Sequence, residues 1–390
     1  MNLAVYGSLG LAVHVLDGLS KARHSVACVV DNSKRVGTTI YNYTVEPVER
    51  LKTCNYDKII IATLDYMDAV DTLLSLNIDY LNIFCDVVWQ PFFLQLEPTT
   101  KCNLACNNCT RVALPSKRKA VDLTFEQFIT IIDKFTDLKR LQLQGLGEPI
   151  LNKNILQMLK YAKQKAINTS ITTNGSLLDE AIDNGIVNYL DKLIVSLDLD
   201  ANTSYNKKRE HNTVQALNRI INGNRTHGLK LVYNFVITGE NITQMNDLVT
   251  FCTKYKPDEL HIQFVENWLI PGQDGFSTMN EYVKKAKEKQ GSILQKVSKC
   301  KESLTNYGIN VTYTAPIERK GKCWWPFFGL FISCDGLVTP CCIRMHPEFF
   351  NFGSAYTQDL IDIWFSDQYC EFRKSVVYNY SNNICELCPQ

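Results

Sequence analysis

Short apolar runs, each followed by a stretch whose apolar positions recur at helical spacing, organise most of the chain. Over residues 1–88 this pattern predicts strands at 2–6, 25–30 and 58–62 and helices at 11–22 and from 62 to about 76, with the apolar run 80–85 closing the unit. Strand and helix in alternation describe a small doubly wound, Rossmann-like domain. After a bridge at 87–93 that contains Pro91, the alternation resumes with longer elements. Strands are predicted at 94–97, 141–143, 169–173, 192–197, 230–238 and 259–264, and helices at 124–135, 153–165, 177–184, 213–227 and 242–255, with a sixth inside 279–304. Six such units with no hairpin between them predict an α/β core, a parallel sheet curling into a partial (β/α)6 TIM-type barrel. From about Gly308 the segments turn short, aromatic and cysteine-bearing, and Asp335-Gly336 between two apolar runs (331–340) signals a hairpin. The expected domains are therefore 1–88, 89–305 and 306–390.

Composition narrows the functional classes. Apolar residues make up 45% of the 390, enough to bury real cores, and 41 basic against 40 acidic residues leave a net charge of +1. No field of one sign is available to attract nucleic acid or an acidic membrane. The apolar runs, such as 58–63 and 229–238, are far shorter than the ~18 residues of a spanning helix, and residues 1–6 lack a basic segment ahead of their apolar positions. A cytoplasmic protein with neither a membrane nor a nucleic-acid partner is expected. Fifteen cysteines without an export signal point to metal or redox chemistry rather than disulfides. Cys102, Cys106 and Cys109 fall within eight residues, and seven cysteines lie in the last 68. Cys28, Cys54, Cys85, Cys252 and Cys300 are scattered and read as small buried hydrophobes.

The first predicted turn, Gly7 to Ala12 (GSLGLA), sits where a dinucleotide-binding fingerprint would, with Asp31 at the end of the second strand. Leu9 occupies the central glycine position, where a bare backbone would admit pyrophosphate, which argues against tight NAD binding. The unit resembles small nucleotide-binding-like domains that accompany carbohydrate enzymes, and an oligomerising role fits it as well.

Cys102-x3-Cys106-x2-Cys109 follows the first barrel strand, on the loop where barrel enzymes carry their chemistry. Three thiolates can hold three irons of a [4Fe–4S] cube and leave the fourth iron open, whereas three cysteines with no adjacent histidine do not close a zinc tetrahedron. This motif resembles that of the radical S-adenosylmethionine (radical SAM) superfamily. Residues 144–149 (QGLGEP) after the second strand resemble its Gly-Gly-Glu-Pro motif, which implies that Gly147 and Glu148 bind the methionyl amino group. Asn174 in 172–175 (TTNG), Ser196 and Asp198 in 196–198 (SLD), and Arg209 match positions that in the family contact the ribose and carboxylate. Asn108 departs from the pattern, because the family places an aromatic residue before the third cysteine. The resemblance implies that S-adenosylmethionine chelates the open iron and is reductively cleaved to methionine and a 5′-deoxyadenosyl radical, which takes hydrogen from an unactivated carbon. It also implies an electron donor such as flavodoxin or ferredoxin.

In the tail, Cys323, Cys341, Cys385 and Cys388 resemble the auxiliary [4Fe–4S] ligands of the SPASM/twitch subgroup, in the segments GKCWWPFF, DGLVTPCC and ICELCP. Cys342 is an alternative to Cys341, Cys334 and Cys370 are spare thiols, and a four-cysteine zinc site is the alternative on spacing alone. With four cysteines the cube has no open iron and would conduct or accept electrons. These resemblances imply a radical SAM oxidoreductase acting on a small polar, carbohydrate-related molecule such as a sugar, a sugar nucleotide or a cyclitol-like alcohol. A peptide or protein maturase and a non-catalytic iron–sulfur or zinc scaffold are the alternatives. No general base is named by the sequence; His211, Glu266, Trp268 and Arg319 lie near strand ends or domain junctions.

Overall fold

The computed structural model describes residues 2–21, 23–63, 66–78, 91–113, 119–135, 138–198, 204–224, 228–314, 323, 325–378, 384–385 and 388. The chain divides into two compact units, the first made of Met1–Phe92, Lys320–Leu330 and Gln358–Asn382, the second of Phe93–Arg319, Phe331–Thr357 and Asn383–Gln390. Among the described residues no helix is long and apolar enough to cross a membrane.

The first unit contains β1 (Asn2–Tyr6), α1 (Gly10–Lys21), β2 (Ser25–Asp31), β3 (Thr39–Ile40), β4 (Tyr43–Pro47), β5 (Lys58–Ile61) and α2 (Tyr66–Ser75). The sheet order is β3-β4-β2-β1-β5, parallel except where β3 pairs with β4. Leu3, Val5, Leu16, Leu19, Val29 and Ile60 form its core, as expected where parallel strands are covered and read as continuous apolar runs. Ser8 donates to the Asp31 carboxylate across the first turn, so that acidic side chain is already engaged. The β3–β4 hairpin was not expected from the pattern, and the run 80–85 and the bridge up to residue 90 lie outside the described residues.

The second unit carries β6 (Phe93–Leu96), α3 (Thr110–Ala113), α4 (Phe125–Ile132), β7 (Arg140–Leu143), α5 (Ile155–Gln164), β8 (Asn168–Thr173), α6 (Leu178–Asp183) and β9 (Lys192–Leu197). It continues with α7 (Ser204–Arg219), β10 (Lys230–Ile237), α8 (Met245–Tyr255), β11 (Glu259–Phe264), α9 (Phe276–Glu288), α10 (Gln290–Thr305), β12 (Asn310–Thr314), the last two residues of β13 (Gly329–Ile332) and β14 (Val338–Thr339). The sheet runs β12-β11-β10-β9-β8-β7-β6-β13-β14, with β6 through β12 all parallel. This is the partial-barrel α/β architecture that the alternation predicts. Burial follows the strand period of two: in β8 and β9 every second residue is fully buried, and α4 is entered through a Thr124/Gln127 capping box.

Three features depart from the sequence reading. Residues 310–314 join the barrel sheet as a further parallel strand beside β11. The last helical region is two helices, α9 and α10, broken at Lys289. Helix α7 begins at Ser204 rather than near 213, because residues 204–212 are almost wholly polar and carry no apolar period. The Asp335-Gly336 hairpin forms as expected: Ile332 pairs with Val338, and Gly336 takes φ +82°.

Candidate radical SAM site

The cluster loop leaves the C-terminal end of β6, the end at which parallel barrels place their chemistry. Cys102, Cys106 and Cys109 are all half-buried. The amide of Leu104 donates to the Cys102 sulfur at 3.5 Å, Cys109 N–H bonds Cys106 O at 3.1 Å, and Arg111 holds the loop closed through Leu104 O at 2.7 Å. Burial pushes the Cys102 thiol up, and the Leu104 amide and the Arg111 charge work against that shift. A ligand that binds as thiolate profits from such donors.

Two further strand-end loops close on this one. Gly147 lets the loop after β7 cross the cluster loop: a Cβ there would lie 2.2 Å from Thr99 O and 2.5 Å from Lys101 O. Next to it, Glu148 N–H bonds Lys101 O at 2.8 Å. The Glu148 side chain, only 2% exposed, accepts from Thr173 Oγ1 and from Asn174 N–H, both at 2.7 Å. Asn174 in turn donates to Asn103 Oδ1 at 3.0 Å and reaches the Cys102 sulfur at 4.0 Å. Gly147, Glu148, Asn174 and Cys102 are thus brought together, and the Glu148 carboxylate is occupied in fastening two loops. Ser196 lies on β9 and the exposed Asp198 just beyond it, at the same end of the sheet. Arg209 falls within α7, and its side chain lies outside the described part.

In the tail, Cys341, Cys342, Cys385 and Cys388 are half-buried in the second unit, and Cys323 is half-buried in the first. The Arg344 amide donates to the Cys341 sulfur at 3.3 Å, and Cys388 N–H bonds Cys385 O at 3.0 Å. Of the spare thiols, Cys334 is buried beside the hairpin, where its amide donates to Glu97, and Cys370 lies on the helix Asp367–Tyr378. Of the residues near strand ends, His211 is exposed, Glu266 and Trp268 are half-buried, and Arg319 lies outside the described residues.

Sequence reasoning missed Glu97 and Arg344. Glu97, fully buried at the end of β6, accepts from Leu146 N–H at 3.0 Å and Cys334 N–H at 3.2 Å. Its position at the last residue of an expected strand was the available signal. Arg344, 7% exposed, lines a cleft that Trp268, Leu269, Met345, Phe349 and Phe350 also border. Thr110 and Leu146, adjacent in sequence to Cys109 and Gly147, reach the same cleft, as does Ile384, which precedes Cys385.

Comparison with known proteins identifies two domains in the chain. Residues 96–252 match the radical SAM superfamily, and residues 323–389 match SPASM, an iron–sulfur cluster-binding domain. Over 76% of its length the chain is 23% identical to a tungsten-containing aldehyde ferredoxin oxidoreductase cofactor-modifying protein of Pyrococcus furiosus, covering 86% of that protein. The structure is similar to anSMEcpe with bound AdoMet (TM-score 0.55, 16% identity, 77% of this chain and 88% of that one). It is also similar to Streptococcus suis SuiB bound to precursor peptide SuiA (TM-score 0.53, 19% identity, 88% of this chain and 80% of that one). The chain is a radical SAM enzyme with a SPASM-type domain: it belongs to the superfamily that works through S-adenosylmethionine and [4Fe–4S] clusters, auxiliary ones included.

Proposed function

We propose that the chain removes a hydrogen atom from a small polar substrate held in the Trp268–Arg344 cleft and completes a two-electron oxidation by passing the second electron to an auxiliary cluster. The observation that carries this reading is that one cleft is lined by sequence neighbours of both ligand sets. Thr110 and Leu146 bring it to the cluster loop and the Gly147 loop, and Ile343, Arg344 and Ile384 bring it to the segments that carry Cys341 and Cys385. A molecule in that cleft would lie between the loop that carries Cys109 and the segments that carry Cys341 and Cys385. In this reading Cys102, Cys106 and Cys109 would hold a [4Fe–4S] cube, which would supply one-electron reducing chemistry toward S-adenosylmethionine. The cosubstrate is oriented by the Gly147–Glu148 backbone with Asn174, Ser196, Asp198 and Arg209, and Cys323, Cys341, Cys385 and Cys388 are the auxiliary ligands.

For an alcohol the balance closes: the carbon-bound hydrogen leaves with the nucleoside, the hydroxyl proton goes to a base, and one electron goes to the second cluster. The favoured substrate class is a sugar, sugar nucleotide or cyclitol-like alcohol, whose C–H faces stack on rings such as Trp268 and Phe349. The apolar wall formed by Leu269, Ile270, Ile343 and Met345 favours a second reading, in which the occupant is an apolar side chain of a peptide. A peptide-bound neighbour, SuiB with SuiA, is compatible with that reading. Release of 5′-deoxyadenosine by anaerobic, reduced, reconstituted protein is the test. Stimulation by nucleotide sugars or cyclitols but not by peptides supports the first reading, stimulation by peptides alone supports the second, and no release under any condition removes both.

A further inference from the structure

We propose that Arg344 is a positioning residue that clamps both arms of the auxiliary ligand segment onto the barrel mouth and so sets the distance and electrostatics between the auxiliary cluster and the substrate cleft. The inference rests on the reading that Cys341 and Cys385 are auxiliary ligands. Four bonds of one residue make the case. Its backbone N–H donates to the Cys341 sulfur at 3.3 Å. Its Nε donates to the carbonyl of Ile384, the residue before Cys385, at 2.9 Å. Its Nη1 donates to the carbonyls of Leu269 at 2.9 Å and Asn267 at 3.3 Å, on the loop that follows β11 and bears Trp268.

The receiving end is itself rigid. Asn267 is 7% exposed; its side chain donates to Phe276 O and Asn280 Oδ1, both at 2.9 Å, and accepts from Leu269 N–H at 3.0 Å. The carbonyls that Arg344 grips are therefore held by a second set of bonds. Segments that lie 40 and up to 77 residues away in sequence meet on a single guanidinium. A lysine, with one nitrogen on a flexible stem, cannot supply the forked donors that reach both arms at once. The fixed positive charge and the N–H···S bond both favour the more negative, reduced state of a thiolate-ligated cluster, which makes it the better electron acceptor. The half-buried Glu266 carboxylate next to Trp268 lies in the field of the same guanidinium.

The test uses the full-length chain reconstituted with iron and sulfide under anaerobic conditions, as wild type, Arg344→Lys and Arg344→Met, with two readouts. Amide hydrogen exchange over 267–269 and 384–388 is expected to quicken about tenfold or more in both variants, the size expected when bonds of about 1 kcal/mol each are lost. The midpoint potential of the auxiliary cluster is expected to move to a more negative value in Arg344→Met, with the charge gone, and to move less in Arg344→Lys. Exchange unchanged in both segments overturns the clamp, and faster exchange with an unmoved potential overturns its electrostatic role. If the wild type binds only four irons, the two-cluster reading fails, while the exchange data still decide whether Arg344 is a clamp.

Discussion

The carboxylate of Glu148 receives the backbone N–H of Asn174 at 2.7 Å, and this bond ties the loop after β7 to the loop after β8 at the point where both lean on the cluster loop. Because the carboxylate is buried and also takes the Thr173 hydroxyl, its removal leaves several donors without an acceptor in a site closed to water. Glu148→Ala is expected to cost about 3 kcal/mol of stability, since bonds to a charged group contribute roughly 1.5–3 kcal/mol each. Glu148→Gln, which keeps one acceptor oxygen, should cost about half as much. Urea unfolding of the apoprotein measures both, and equal losses for the two substitutions would contradict the assignment.

Gly147 carries a sharper constraint. A Cβ at this position would meet two backbone carbonyl oxygens, those of Thr99 and Lys101, at 2.2 and 2.5 Å, and backbone cannot swing aside as a side chain can. Gly147→Ala should therefore weaken S-adenosylmethionine binding by tenfold or more, about 1.4 kcal/mol, by forcing the loop off the cluster segment. Equilibrium dialysis on reconstituted protein reads this directly, and an alanine variant with unchanged affinity would mean that the crossing is not needed.

Iron counting separates the two ligand sets. Wild type is expected to hold about eight irons per chain, and a variant with Cys102, Cys106 and Cys109 all changed to alanine about four. A Cys341/Cys385/Cys388 triple variant should also hold about four, but should keep the capacity to cleave S-adenosylmethionine. Zinc in place of iron in anaerobically purified protein would undo the assignment of both sets.

Much of this was legible from the sequence, and the omissions have physical causes. The strands at 192–197 and 259–264 were readable to the residue because burial imposes an apolar position at every second place. The β3–β4 hairpin was not, because its two-residue turn is Tyr41-Asn42, at φ 47° and 70°, instead of the Asn-Gly that usually announces such a turn, and β3 is only two residues long. The three cluster cysteines were readable because their chemistry is written in local spacing. Glu97 and Arg344 were not, because their partners lie 49 and 237 residues away for one and up to 77 for the other, and a lone charged residue carries no sign of what it will meet. Glu148 was placed at the site by its motif, but only the fold shows that its carboxylate is consumed by Thr173 and Asn174.

Glu266, which accepts from the indole of the cleft residue Trp268, carries a pH signature. Burial raises its pKa above the ordinary value of 4.5, against the opposing pull of the Trp268 and Gln263 hydrogen bonds and of the Arg344 charge. The folded protein therefore binds more protons than the unfolded chain between about pH 4.5 and the raised value, and stability must fall as the pH rises through that window. Below the window the group is protonated in both states and its favourable contribution is complete; above it, the contribution is gone. Glu266→Gln, uncharged at every pH, should lack this dependence, so that the difference in stability between wild type and variant declines with rising pH. Urea melts of both proteins across pH 4 to 8 measure it, and parallel curves would show that Glu266 is solvated in the folded chain rather than enclosed between Trp268, Gln263 and Arg344.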